Sequence, residues 1–259
     1  MSASSSSVPT PTPARSPLLG RVGLAILLIL WAVGVFFITQ LGIVLALEGI
    51  NRLGVDFSGL NPAILSTVIA AASYVIALGI VIGAPWLWLR RRTTPRELGI
   101  QRSLSWQDFL LAPFAIVGYL LLSVGLVWLA TVFMPWIDFE QEQNVGFDQL
   151  ASRYEYILAF LTLVVIAPIA EELLFRGYLY GKVRRIMPMW LGVLLISIAF
   201  GAAHGQWNVA IDTFALSVAM CCLREYTGTI WAGVLVHMIK NGLAYFVLFV
   251  APHMTGMGL

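Results

Sequence analysis

The stretch Leu161-Thr-Leu-Val-Val-Ile-Ala-Pro168-Ile-Ala-Glu171-Glu172-Leu-Leu-Phe-Arg176-Gly177 sets two acids and an arginine inside an apolar run long enough to cross a bilayer. Each charge costs roughly 2.5–3.5 kcal/mol at the centre of a membrane helix, so the three together cost about 8–10 kcal/mol. The Leu, Ile, Val and Phe residues between 155 and 181 return about 4–8 kcal/mol. Alone, such a helix is marginal, so its polar face must turn into the protein and find partners there. Glu172 and Arg176 are four residues apart, one helical turn, and can pair. Pro168 deprives the Val164 carbonyl of its helical donor, which predicts a kink and a local widening just before the acids.

The rest of the chain agrees with that reading. Of its 259 residues 59% are hydrophobic and 11% charged, and the mean hydropathy is +0.88, which excludes an ordinary soluble domain. Apolar runs predict about seven spans, with eight as the alternative count: 22–47, 62–89, 109–134, 155–181, 189–205, 208–224 and 229–250. The fold expected is an all-α integral membrane protein. Residues 1–19, rich in Ser, Pro and Thr, are expected to be a disordered tail. Residues 20–153 hold N-terminal transmembrane helices, 154–250 a catalytic core, and 251–259 a short C-terminal tail. Ser105 is the expected N-cap of the third span, with Asp108 in its first turn. Cys221 and Cys222 are adjacent and read as reduced core residues.

Charge asymmetry sets the expected orientation. With the N-terminus in the cytoplasm, Arg90, Arg91, Arg92, Arg96, Arg102, Lys182, Arg184, Arg185 and Arg224 all fall on the cytoplasmic side. Arg52 and Arg153 fall outside, among Glu48, Asp56, Asp138, Glu140, Glu142 and Asp148. The expected location is the cell membrane, multi-pass, with the bilayer as surroundings and no nucleic-acid partner.

Inside the spans stand Glu171, Glu172, Arg176, Asp212 and Lys240, together with His204, His237 and Asn241. His237 and Asn241 share a helix face, as do Phe200 and His204, where Phe200 is expected to wall the site. Glu171 and His204 lie equally far from the turn at Met187 and Pro188, so straight helices bring them to one level. The prediction is a site at mid-bilayer depth between the fourth, fifth and seventh spans. Asp212 reads as a helix-end or packing residue, and Lys240 as a snorkelling or packing one. Taken singly, each histidine reads more readily as a satisfied core residue, and the Glu172–Arg176 pair has a structural ion pair as its lesser reading; their convergence favours chemistry.

Three motifs carry a family resemblance. Glu171-Glu172-Leu-Leu-Phe-Arg176-Gly177 resembles the acidic motif of the CPBP family of intramembrane proteases, also called type II CAAX prenyl endopeptidases or Abi proteins. Phe200-Gly-Ala-Ala-His204 is similar to its second motif and His237-Met-Ile-Lys-Asn241 to its third, in the family's order. The resemblance spans roughly 154–250, with a weaker likeness at Thr94-Pro-Arg-Glu-Leu-Gly99. It implies an endopeptidase acting on membrane-embedded or lipidated protein or peptide substrates. Glu171 is then the base that activates water, with Glu172 the alternative; His204 positions the water, and His237 and Asn241 stabilise the oxyanion. Arg176 and Phe200 support them.

Two histidines and a glutamate match a catalytic zinc site in ligand type, but there is no His-Glu-x-x-His segment. The cofactor expected is therefore none, with one zinc ion as the alternative. Two other functions stay open: a catalytically silent scaffold or bacteriocin-immunity protein of the same fold, and a proton-coupled transporter. No repeated halves are apparent in support of the transporter.

Overall fold

The computed structural model describes residues 17–254 except 142, 144, 148 and 149, without the side chains of 253 and 254. Among the described residues the chain is helical and loop, with no strand. The helices are α1 (Leu18–Arg52), α2 (Pro62–Leu89), the single turn α3 (Pro95–Leu98), α4 (Trp106–Phe133), α5 (Arg153–Ile186), α6 (Met189–Ala202), α7 (Trp207–Thr227) and α8 (Trp231–Val250). Helical backbone continues from α8 through Ala251–Met254, inside what the sequence reads as a tail. The expected disordered tail at 1–19 falls almost wholly outside the described residues; α1 already begins at Leu18.

Six of these helices are long and apolar enough to cross a membrane. The fifth expected span, 189–205, is α6, whose 14 residues reach about 21 Å, short of the ~30 Å hydrocarbon core, so it is too short to cross on its own. The chain turns at Gly205, whose φ of +72° suits glycine, before α7 starts.

Local signals set the helix ends. Asn61 caps α2 by accepting from the Ala63 and Ile64 amides. As expected, Ser105 opens α4 and Asp108 accepts from its amide at 2.8 Å; Asp108 also holds Arg102 through two oxygens at 2.6 and 2.8 Å. At the start of α5, Glu155 accepts from the Ala151 and Ser152 amides. The widening expected before Pro168 is present as a π-helical segment, Leu161–Ile166, and a second one covers Leu173–Leu179.

The helices sort by burial. In the most apolar window of α5 and of α7, 39% of residues are buried, against 17% in α1, α2 and α4, so α5 and α7 form the centre. The outer helices present Leu27, Leu30, Ile38, Leu121 and Val124 outward, as a lipid-facing surface requires. The core packs Leu174, Leu179, Val183, Ile196, Phe200, Leu216 and Met220.

One end of the bundle is basic. There Arg185 pairs with Glu97 at 2.6 Å, Arg184 with Glu225 at 2.9 Å, and Arg21 donates to the Ile186 carbonyl. Arg224 donates to the carbonyls of Arg176, Glu97 and Gly228, tying α7 to α5 and to α3. Gly99, with φ +71°, lets the Arg224 guanidinium lie against its backbone: an added Cβ would fall 2.8 Å from it.

Candidate active site

A cavity of about 440 Å³ lies among α1, α2, α5, α6 and α8. Glu171, Phe200, His204, His237 and Asn241 all line it, so the three motifs do meet. Glu172 and Arg176 stand behind the wall.

Adjacent positions on α5 point about 100° apart, and this divides the acids. The Glu171 side chain keeps 20% of its surface exposed, whereas Glu172 and Arg176 have none. Arg176 Nη1 lies 2.8 Å from Glu172 Oε1, and His237 Nδ1 lies 3.2 Å from the same oxygen. The guanidinium also sits 4.2 Å over the Phe200 ring, whose edge-on neighbours are Phe175, His204 and His237. Gly233 makes room for the carboxylate, since a Cβ there would lie 2.9 Å from Glu172 Oε2.

His237 therefore bridges the acids. Its Nδ1 meets Glu172, and its Nε2 lies 3.9 Å from Glu171 Oε2. His204 Nδ1 is 2.8 Å from the Phe200 carbonyl one turn back, which fixes the ring and leaves Nε2 for the site. Asn241 Nδ2 donates at 2.9 Å to the Leu163 carbonyl, inside the first π-helical segment. The sequence points to the carbonyl of Val164; the π register carries the bond to the residue before it. An amide nitrogen has two N–H groups, so Asn241 keeps one for a ligand.

Sequence reasoning missed two features. Tyr74, on α2, donates to Glu171 Oε1 at 2.6 Å and lines the cavity. Its apolar surroundings hide it among core aromatics, and the spacing of the motifs says nothing about a helix ninety residues earlier. Lys240 lies 3.5 Å from Asp212, which also accepts from Tyr119 at 2.6 Å and Ser123 at 2.8 Å. Both charges, read as packing groups, are an ion pair joining α4, α7 and α8, and Lys240 reaches the cavity wall.

Among the described residues, no three His, Cys, Asp or Glu side chains gather closely enough to hold a metal ion. The partners explain why. Glu172 is committed to Arg176 and His237, and His237 Nε2 and Glu171 stand apart by more than the ~3.3 Å edge of a tetrahedral zinc shell with ~2.0 Å bonds. As placed, these side chains do not fit a zinc site.

Residues 153–243 match the family model described as Type II CAAX prenyl endopeptidase Rce1-like. That segment is similar to an Rce1-like domain. It takes in every residue of the three motifs and leaves out α1, α2 and α4. Two relatives share part of the chain. A protein of Escherichia coli described as "Uncharacterized 24.3 kDa protein" is 29% identical over 144 residues, 49% of this chain and 66% of that one. The UPF0177 protein YbdI of Lactococcus lactis is 34% identical over 91 residues, 35% of this chain and 48% of that one. The chain thus spans about two thirds of the first relative and about half of the second. No solved structure matches it. The apolar helices mark a multi-pass membrane protein, and its segment 153–243 is similar to the Rce1-like CAAX endopeptidase family.

Proposed function

We propose that the protein is an intramembrane endopeptidase in which Glu171 activates water against a peptide bond. The observation that carries this is the contrast between the acids: Glu171 lines the cavity, while Glu172 is neutralised behind it by Arg176. Glu171 takes a proton from water, and the oxygen left behind bonds to the scissile carbonyl carbon. His204 Nε2 holds that water, and His237 and the second N–H of Asn241 donate to the oxyanion. Collapse of the intermediate breaks the C–N bond, and the proton on Glu171 passes to the leaving amine. The apolar walls, with Phe36, Phe37, Leu248 and Phe249 among them, suit a substrate segment that is itself apolar or lipidated.

The domain match and the motif residues support proteolysis over a silent scaffold, since a scaffold has no use for a cavity-facing acid that shares its cavity with two histidines and a carboxamide. The orientation that fits the charges places the basic end in the cytoplasm of a cell membrane. The deciding experiment compares membrane-peptide fragments by mass spectrometry with the wild-type chain, Glu171→Gln, and no protein. Fragments present with the wild type and missing from the other two support the reading. Identical fragments in all three would remove it.

A further inference from the structure

The matched domain supplies the acid but not its immediate neighbour on the cavity side. Tyr74 comes from α2, outside residues 153–243, and its hydroxyl donates to Glu171 Oε1 at 2.6 Å. A phenol buried in apolar surroundings needs an acceptor, so a structural bond alone would satisfy it. The acceptor here, however, is the cavity-facing carboxylate. The other oxygen, Oε2, is the one that lies 3.9 Å from His237 Nε2, so the tyrosine occupies one oxygen and leaves its twin toward the cavity groups. The ring is itself held: Phe36 of α1 packs on it with centroids 5.2 Å apart and planes tilted by 30°.

We propose that Tyr74 is the positioning residue of Glu171, and that the α1–α2 pair is therefore part of the hydrolytic unit. The inference rests on Glu171 being the base. A carboxylate on a flexible stem has two equivalent oxygens and a free terminal torsion. A short bond from a fixed phenol removes that rotation and aims Oε2 at the water.

The test uses the full chain in detergent micelles as wild type, Tyr74→Phe, Thr67→Val and Glu171→Gln. Thr67→Val removes a different interhelical bond between α2 and α5, the 3.1 Å contact from Thr162, and controls for loss of a structural bond. Two readouts are taken. One is the rate at which dicyclohexylcarbodiimide, a carboxyl-directed reagent, labels Glu171, whose Oε1 the tyrosine hydroxyl covers. The other is kcat and KM on an internally quenched farnesylated CAAX peptide. In Tyr74→Phe, labelling of Glu171 should rise severalfold, and kcat should fall about tenfold or more with KM within about twofold. Thr67→Val should match the wild type in both. Should Tyr74→Phe accumulate poorly, Phe36→Ala, which removes the ring holding the phenol, should raise labelling in the same direction.

Wild-type labelling in Tyr74→Phe, or equal changes in Tyr74→Phe and Thr67→Val, overturns the inference. The two readings fail separately. Full cleavage by Glu171→Gln removes the base, while labelling, which needs no turnover, still decides the contact. An inactive Glu171→Gln beside a Tyr74→Phe of full kcat sinks the tyrosine alone.

Discussion

Glu171 and Glu172 are covalent neighbours in opposite surroundings: Glu171 lines the cavity, and Glu172 is sealed 2.8 Å from Arg176 Nη1. The helical rotation between adjacent residues separates them, and the arginine settles which is which. A charge with no access to water survives in the bundle only when paired, and pairing spends it. The other carboxylate is left to act.

Two substitutions in this relationship should differ in kind. Glu171→Gln keeps size and hydrogen bonding but cannot take a proton, so turnover should fall by about 10²–10⁴ at normal protein level. Arg176→Ala strands a buried carboxylate, which costs roughly 3–5 kcal/mol, so the protein itself should accumulate poorly. Immunoblots of membranes beside a cleavage assay read both. A well-accumulated Arg176→Ala protein would show that Glu172 does not need its partner.

Gly233 offers a backbone test of the same pocket. An alanine Cβ would fall 2.9 Å from Glu172 Oε2, a carboxylate already held by Arg176 and His237, and at an ordinary 3.6 Å from Met220 Cβ. Gly233→Ala should destabilise by about 1–3 kcal/mol, the usual cost of overpacking, seen as a lower midpoint in thermal unfolding in detergent. An unchanged midpoint would mean that the carboxylate is free to move.

The Lys240–Asp212 pair should behave as a unit. Asp212→Ala leaves the lysine, 23% exposed, without its counter-charge and strips the acceptor from Tyr119 and Ser123. Thermal stability should drop, and adding Lys240→Met should recover part of the loss. Strictly additive losses in the double variant would argue against coupling.

Strong chelation should leave cleavage intact, because the donors do not gather into a metal shell. Activity lost to chelator and regained with zinc would make His204 and His237 ligands instead.

Topology has its own check. A reporter fused after Arg92 should read cytoplasmic and one inserted at Asp138 external, as the basic end demands. The same side for both would overturn the orientation.

Much of this was legible in the sequence. Hydropathy gives all seven apolar segments, and the cost of charge in a bilayer singles out Glu171, Glu172 and Arg176 without any coordinates. Periodicity pairs Glu172 with Arg176, and counting from the turn at Pro188 levels Glu171 with His204, because helical rise is constant. Pro168 announces the widened turn, since a missing amide must show in the hydrogen bonds around it.

Other facts needed the tertiary structure. That the fifth apolar segment stays helical only to Ala202, too short to cross on its own, is a fact of the backbone that its apolar composition does not encode. Which acid faces the cavity depends on the rotation of α5 about its axis, fixed by packing against α8 and α2. Tyr74 against Glu171 joins helices 97 residues apart in the chain, and Lys240 against Asp212 joins the neighbouring α8 and α7. No periodicity links them. Sequence spacing governs what lies along one helix, because the backbone geometry is regular. What lies between helices is set by side-chain packing and by the need of every buried polar group for a partner, and those are properties of the assembled bundle.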